Sequence, residues 1–88
     1  MGVSMTLSIK FYTKPKCSLC DEGRTLLTQL KKAYPLIVEE INILDDPDLY
    51  ERYKYEIPVL LFPDRSQFEG RIDGKKLKAK LEEILRTQ

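Results

Sequence analysis

The sequence contains no histidine, no tryptophan and only two cysteines among its 88 residues. Without histidine, a single chain cannot form a Ser–His–Asp triad, a histidine-ligated metal site or a histidine pH switch. Two cysteines are also too few for the disulfide network that stabilises many small secreted domains. The composition therefore excludes the histidine-dependent hydrolases and the disulfide-rich scaffolds.

Long apolar runs and a strong excess of charge are missing as well. No stretch approaches the roughly 18 consecutive apolar residues of a membrane span, and residues 1–6 lack the cationic start and apolar run of a secretory signal. The net charge is only +1, which leaves no large basic field for a phosphate backbone. We expect one domain, residues 1–88, acting as a monomer with neither a membrane nor nucleic acid as its partner.

The hydrophobic periodicity that is present predicts an α/β fold. Seven segments each carry the two-residue period of a strand or the three- to four-residue period of a helix. In chain order they are strand 6–12, helix 17–33, strand 36–43, helix 47–55, strand 58–62, strand 67–70 and a helix after residue 73. Strand–helix–strand units favour parallel pairing and the short turn 63–66 favours a hairpin. The order βαβαββα therefore predicts a four-stranded mixed sheet between three helices.

Local signals set the expected helix ends. The acidic segment 45–48 contains Pro47 and is typical of a helix start, and Asp73 is expected to cap the last helix. The apolar stripe of the first helix is expected to continue to Ala33, and Pro35 pushes the preceding residue out of helical geometry.

The two cysteines lie where the first strand ends and the first helix begins. The free amides and the dipole of a helix N-terminus stabilise a thiolate there, which lowers the pKa of Cys17 below the free value of about 8.5. Lys14 and Lys16 add positive charge nearby. We expect Cys17 to be the exposed nucleophile, and Cys20, one turn later, to be buried, protonated and able to resolve a mixed disulfide.

Two acidic residues after the second cysteine act in the opposite direction. Asp21 and Glu22 suit the first turn of a helix, but they repel a thiolate and raise its pKa. The net expectation is a moderately lowered pKa.

Three other interpretations of the cysteine pair remain open from the residues alone. The cysteines are inert core residues, they hold zinc shared between two chains because one chain supplies only two thiols, or the chain is a redox-silent interaction domain. The position of the pair within a strand–helix–strand unit favours redox chemistry over these alternatives.

Three segments together resemble the glutaredoxin branch of the thioredoxin superfamily, in particular small bacterial glutaredoxin-like proteins. They are residues 11–22 around the cysteine pair, residues 56–60 and residues 70–73. The resemblance implies a thioredoxin-like fold, a cytoplasmic location and dithiol–disulfide exchange without a tightly bound cofactor. It also implies a disulfide-bearing protein or small thiol substrate, and a reductant that is either glutathione or a thioredoxin-reductase-type system.

The resemblance further implies a cis peptide bond before Pro58. Such a bond would turn the backbone of Ile57 toward Cys17, where its amide and carbonyl could pair with an extended substrate. Ile57 and Pro58 are therefore expected substrate-binding residues. From the residues alone, a trans proline at the start of the strand is the alternative.

Two positions match residues that hold glutathione in related proteins. Lys14 matches a lysine that contacts a glutathione carboxylate, and Asp73 matches an aspartate that contacts the glutathione amine. Four positions depart from the glutathione-using pattern: Ser18, Leu19, Glu56 and Glu69. Because the two glutamates carry the same charge sign as the tripeptide, they should weaken its binding. Glutathione is thus a candidate co-substrate, and the charges of Glu56 and Glu69 are expected to oppose its binding.

A metal-carrying role is the second functional hypothesis. Some glutaredoxin relatives bridge an iron–sulfur cluster between two chains through the first cysteine and glutathione. Ser18 replaces the proline that usually follows this cysteine, and the relaxed loop leaves that role open.

Overall fold

The computed structural model describes residues 6–86, and the order of its elements agrees with the sequence pattern. Four strands, three α-helices and one 3₁₀ turn follow one another. They are β1 Leu7–Thr13, α1 Ser18–Leu30, β2 Leu36–Asn42, the 3₁₀ turn Ile43–Asp45, α2 Pro47–Tyr53, β3 Val59–Leu61, β4 Gln67–Glu69 and α3 Gly74–Arg86.

The strands form one mixed sheet in the order β2-β1-β3-β4. β1 runs parallel to β2 and antiparallel to β3, and β4 pairs antiparallel with β3. Strand β1 lies inside the sheet because it pairs with β2 on one side and with β3 on the other. The expected four-stranded mixed sheet with three helices is confirmed.

Two apolar clusters lie on opposite sides of β1. One contains Leu7, Ile9 and Phe11 and is completed mainly by α1 and α3. The other contains Tyr12 and Val59 and is completed by the 3₁₀ turn and α2. The strand alternation expected from Leu7, Ile9 and Phe11 is therefore observed, since Ser8 and Lys10 between them are exposed. Only the end of β1, at Tyr12, is covered on the second face.

Helix α1 ends earlier than its apolar stripe predicted. It stops at Leu30, and the exposed Ala33 lies in a turn instead of on the inner helix face. The backbone N–H groups of Ala33 and Tyr34 both donate to the Leu30 carbonyl. This tight turn lets Leu7 N–H donate to the Pro35 carbonyl at 2.8 Å, so β2 starts directly beside β1.

The second half of the chain departs from the prediction in smaller ways. A 3₁₀ turn with fully buried Ile43 follows β2, and α2 ends at Tyr53. The predicted caps are confirmed: Asp46 accepts from Asp48 N–H at 2.9 Å, and Asp73 accepts from Lys75 N–H at 2.8 Å.

The register brings three chain segments to one edge of the sheet. Thr13, the last residue of β1, pairs with Asn42, the last residue of β2, while Tyr12 pairs with Val59, the first residue of β3. The loop to Cys17, the start of the 3₁₀ turn and the segment before β3 therefore meet at this edge. Within residues 6–86, no helix is long and apolar enough to cross a membrane.

Candidate active site

Cys17 occupies the N-cap position of α1. Its backbone is extended, with φ −118° and ψ 108°, and its Sγ accepts a hydrogen bond from Cys20 N–H at 3.2 Å. The preceding Lys16 has a φ of 57°, a left-handed conformation that is uncommon for a residue with a side chain. The loop therefore turns sharply into the helix and directs the sulfur at a free amide, where negative charge is stabilised.

Cys20 lies one turn further along α1 in a different environment. It is fully buried, whereas Cys17 is only half-buried. Burial, together with hydrogen bonding to Cys17, raises the pKa of the Cys20 thiol to about 12, although the Lys14 backbone amide and the Arg24 guanidinium act to lower it. Cys20 is buried and held protonated as expected. Cys17, which was expected to be exposed, is half-buried, because its Sγ lies against a free amide of the helix.

The two acidic residues at the start of α1 are both paired with arginines. Asp21 binds Arg24 at 2.7 Å, and Glu22 binds Arg71 at 2.9 Å. The guanidinium groups offset the negative charge that was expected to oppose a thiolate at Cys17. Arg24 was not among the residues predicted for the site, although its i,i+3 spacing from Asp21 is a recognisable signal for an ion pair on a helix.

Arg24 also links α1 to the end of β2. Its Nε donates to Glu40 Oε1 at 2.9 Å, and a second guanidinium nitrogen contacts the other carboxylate oxygen. Thr13 Oγ1 donates to the same carboxylate at 3.0 Å, and these contacts hold the pKa of Glu40 below its usual range. The guanidinium is thereby fixed between the helix that carries Cys20 and the edge of the sheet.

The peptide bond between Ile57 and Pro58 is cis, as the resemblance implied. Gly70, with a φ of 71° that suits glycine, donates its N–H to the carbonyls of Glu56 and Pro58 at 3.1 and 2.8 Å. Within the part of the chain that the structure describes, no hydrogen bond reaches the backbone N–H or carbonyl of Ile57. This residue leaves two main-chain groups available next to the start of β3.

Comparison with known proteins decides the family. Residues 8–82 match the family described as Glutaredoxin-like domain (DUF836). The chain belongs to this glutaredoxin-like family. It is 32% identical over 89 residues to the glutaredoxin-like protein YDR286C homolog of Dictyostelium discoideum, with 94% of this chain and 82% of that protein covered.

Solved structures with a similar fold show the architecture of this glutaredoxin-like chain. An X-ray structure of a structural genomics target protein from X. campestris is 27% identical, with a TM-score of 0.73 over 84% of this chain and 95% of that one. The oxidised form of mitochondrial thioredoxin 3 from Saccharomyces cerevisiae is 16% identical, with a TM-score of 0.70 over 88% of this chain and 77% of that one. The fold is therefore the thioredoxin fold, as expected.

The two residues matched to glutathione contacts lie in separate surface depressions of this glutaredoxin-like chain. Lys14 is exposed and lines a depression of about 160 Å³ with Arg24 and Glu40. Asp73 lines another, of about 210 Å³, with Glu69. The Asp73 carboxylate also accepts from the N–H groups of residues 75 and 76, which lower its pKa. The structure thus assigns Asp73 a capping role and brings it beside one of the two unfavourable glutamates.

The two glutamates that depart from the glutathione-using pattern lie near each other. The Glu56 carbonyl accepts from Gly70 N–H, and Gly70 directly follows Glu69. Burial raises the phenol pKa of Tyr53, Arg52 acts to lower it, and Glu56 and Glu69 add to the increase. The two glutamates expected to oppose glutathione are therefore close together along the backbone.

The described residues contain no group of three or more His, Cys, Asp or Glu side chains arranged to hold a metal ion. Cys17 and Cys20 remain the one pair of thiols in the sequence, and both are free of a disulfide bond in this structure.

Proposed function

We propose that this glutaredoxin-like protein is a thiol–disulfide oxidoreductase in which Cys17 is the nucleophile and Cys20 the resolving thiol. The observation that carries the proposal is the contrast between the two sulfurs. Cys17 Sγ accepts an amide hydrogen bond at the helix N-terminus, whereas Cys20 is fully buried with its pKa raised to about 12. Such a pair is suited to attack by one sulfur followed by delayed displacement by the other.

The reaction proceeds in two exchanges. The Cys17 thiolate attacks one sulfur of a substrate disulfide, the substrate S–S bond breaks, and the other substrate sulfur leaves as a thiolate that takes up a proton. Cys20 then loses its proton and attacks Cys17 Sγ, which breaks the mixed disulfide and releases the second substrate thiol. The substrate disulfide gains two electrons and two protons, and the Cys17–Cys20 pair becomes a disulfide.

The unpaired main-chain groups of Ile57 support a substrate-binding role for the segment before Pro58. An extended peptide can pair with a free N–H and carbonyl in the same way as an added strand. Because the register brings this segment and the loop to Cys17 to one edge of the sheet, a peptide held there would lie at the same edge as the sulfur.

Turnover requires a second thiol system, because each cycle leaves Cys17 and Cys20 oxidised. We propose glutathione or a thioredoxin-reductase-type system as that reductant. We also propose a cytoplasmic location, where such systems keep thiols reduced. Lys14 and Asp73 belong to the proposal as contacts for glutathione, with Glu56 and Glu69 opposing them.

Trapping of the mixed disulfide tests the roles of the cysteines. The Cys20→Ser variant should accumulate a covalent adduct with a disulfide substrate, because the resolving thiol is missing. The Cys17→Ser variant should form no adduct and reduce no disulfide. Mass spectrometry of the two variants after identical incubation measures both outcomes, and normal turnover by Cys17→Ser would refute the assignment.

A further inference from the structure

Exposed apolar side chains are concentrated in one short segment near the candidate site. Four large apolar side chains are exposed within the described range, and three of them lie in residues 44–56: Leu44 at 55%, Tyr50 at 41% and Tyr55 at 91% exposure. Scattered exposed apolar residues are ordinary, but a concentration of them in a few turns of chain is typical of an interaction site.

Both ends of this segment lie at the edge of the sheet from which the loop to Cys17 leaves β1. It starts just after Asn42, which pairs with Thr13 at the end of β1, and it ends next to Ile57 and the start of β3. Its middle is anchored because Tyr53 stacks on Tyr12 with ring centroids 4.5 Å apart. A molecule bound along residues 44–56 would therefore lie at the sheet edge from which the loop to Cys17 leaves β1.

Lys54 lies against both exposed tyrosines. Its Nζ lies 5.6 Å from the centroid of the Tyr50 ring and 5.3 Å from that of the Tyr55 ring, and it binds Glu51 at 2.8 Å. Contacts between a cation and an aromatic face are attractive. Lys54 therefore joins the two rings into one surface.

The same segment is strongly acidic in a chain that is otherwise slightly basic. Residues 44–56 contain five Asp or Glu and two Lys or Arg, a net charge of −3, whereas the whole chain has a net charge of +1. Glu69, which lies beside Glu56, adds another negative charge at its end. The surface therefore combines accessible aromatic rings with negative charge.

We propose that residues 44–56, the tyrosine surface, dock protein substrates whose disulfide is flanked by lysine or arginine residues. This inference rests on the proposed function and specifies its substrate class. Basic side chains are attracted by the acidic field and can lie against the free faces of Tyr50 and Tyr55. Tyrosine and arginine are also the residues that contribute most to protein interfaces.

The first test compares peptides that differ only in charge. Three peptides of equal length carry a mixed disulfide with 2-mercaptoethanol, flanked by lysines, by serines or by glutamates. At low salt, the Cys20→Ser variant should form an adduct with the lysine peptide roughly tenfold faster than with the glutamate peptide. A tenfold difference is at the lower end of the rate increases that electrostatic steering produces. This preference should shrink as salt is added, and equal rates for the three peptides would overturn the inference.

Substitutions test whether the preference for the lysine peptide comes from the tyrosine surface and not from another part of the protein. Tyr55→Ala, and a double variant with Asp45→Asn and Asp48→Asn, should each reduce the ratio of the lysine-peptide rate to the hydroxyethyl disulfide rate. Tyr55→Phe should retain it because the ring remains. Ile37→Ala and Glu39→Gln on β2 are matched controls that remove an exposed apolar side chain and a charge elsewhere. An equal reduction in these controls would contradict the assignment of the surface.

A binding measurement distinguishes failure of docking from failure of the proposed function. A lysine peptide whose cysteine is replaced by serine is titrated into the unmodified protein while backbone amide NMR signals are recorded. Shifts at residues 44–56 support the surface even if no disulfide is reduced. If the protein reduces hydroxyethyl disulfide but shows no such shifts, the oxidoreductase activity stands and the docking surface is refuted. Self-association of the protein that Tyr55→Ala abolishes would also refute the docking of basic substrates.

Discussion

The backbone N–H of Cys20 donates a hydrogen bond to Sγ of Cys17 at 3.2 Å. The same residue thus supplies an amide that favours negative charge on one sulfur while its own sulfur is buried and held protonated. One turn of helix is enough to make the two thiols chemically different, because the free amides lie only at the helix N-terminus. The reactivity of both thiols therefore depends on this hydrogen bond and on the burial of Cys20.

We expect alkylation to distinguish the two cysteines. Iodoacetamide at neutral pH should modify one thiol of the folded protein, at Cys17, because Cys20 is fully buried and its pKa is about 12. Peptide mass mapping after a short exposure measures the site. The Cys17→Ser variant should resist modification until it is denatured in urea, and rapid labelling of Cys20 in the folded variant would contradict the assignment.

Arg24 should assist the second exchange. Its positive charge favours the Cys20 thiolate, so Arg24→Gln should raise the pKa of Cys20 and slow displacement of the substrate from Cys17. In stopped-flow measurements, the rate of resolution should rise with pH in both proteins, and the profile of the variant should lie at higher pH. Lys31→Gln, which removes a charge just after α1, is the control. An unshifted profile for Arg24→Gln would exclude this role.

Removal of the negative charges of Glu56 and Glu69 should strengthen the binding of glutathione that we propose. A double variant with Glu56→Gln and Glu69→Gln removes two like charges, each of which costs up to about 1 kcal/mol at an exposed site, or roughly fivefold in affinity. The KM for glutathione should fall in a coupled reduction assay, and the difference should narrow at high salt. Glu83→Gln, which removes a negative charge on α3, is the control. An unchanged KM in the double variant would mean that Glu56 and Glu69 do not oppose glutathione through their charge.

The close packing of α1 on β1 can be tested at a glycine. A Cβ atom at position 23 would lie 3.0 Å from Ile72 Cδ1 and 3.2 Å from Phe11 Cζ, so Gly23→Ala overpacks the core. An overpacking cost of about 1–3 kcal/mol, less a gain of about 1 kcal/mol in helix propensity, predicts a net loss of about 1 kcal/mol in the free energy of unfolding.

Gly74→Ala is the matched control for this packing. Its added Cβ would meet Leu26 Cδ1 at 3.4 Å, an ordinary contact, and the substitution should leave stability unchanged or raise it by about 0.5 kcal/mol. Urea unfolding followed by circular dichroism compares the two variants. Equal stabilities would mean that Ile72 and Phe11 move aside without cost.

Local pattern alone predicted much of this protein. The alternation of Leu7, Ile9 and Phe11 predicted β1, and the aspartates predicted the helix starts, because strand periodicity and capping involve residues close together in the chain. The difference between Cys17 and Cys20 was also predictable, since it depends on their places within one helical turn. The resemblance to glutaredoxins supplied the cis peptide before Pro58, which residue types alone did not require.

The tertiary structure decided the features that depend on residues distant in sequence. The apolar stripe that continues to Ala33 does not show where α1 ends. The helix ends at Leu30 because the chain must turn there for β2 to pair with β1. The neutralisation of Glu22 by Arg71 and the burial of Ile43 likewise arise only on packing. Solvent exposure is a property of the assembled molecule, and for that reason the sequence predicted the cysteine site but not the tyrosine surface beside it.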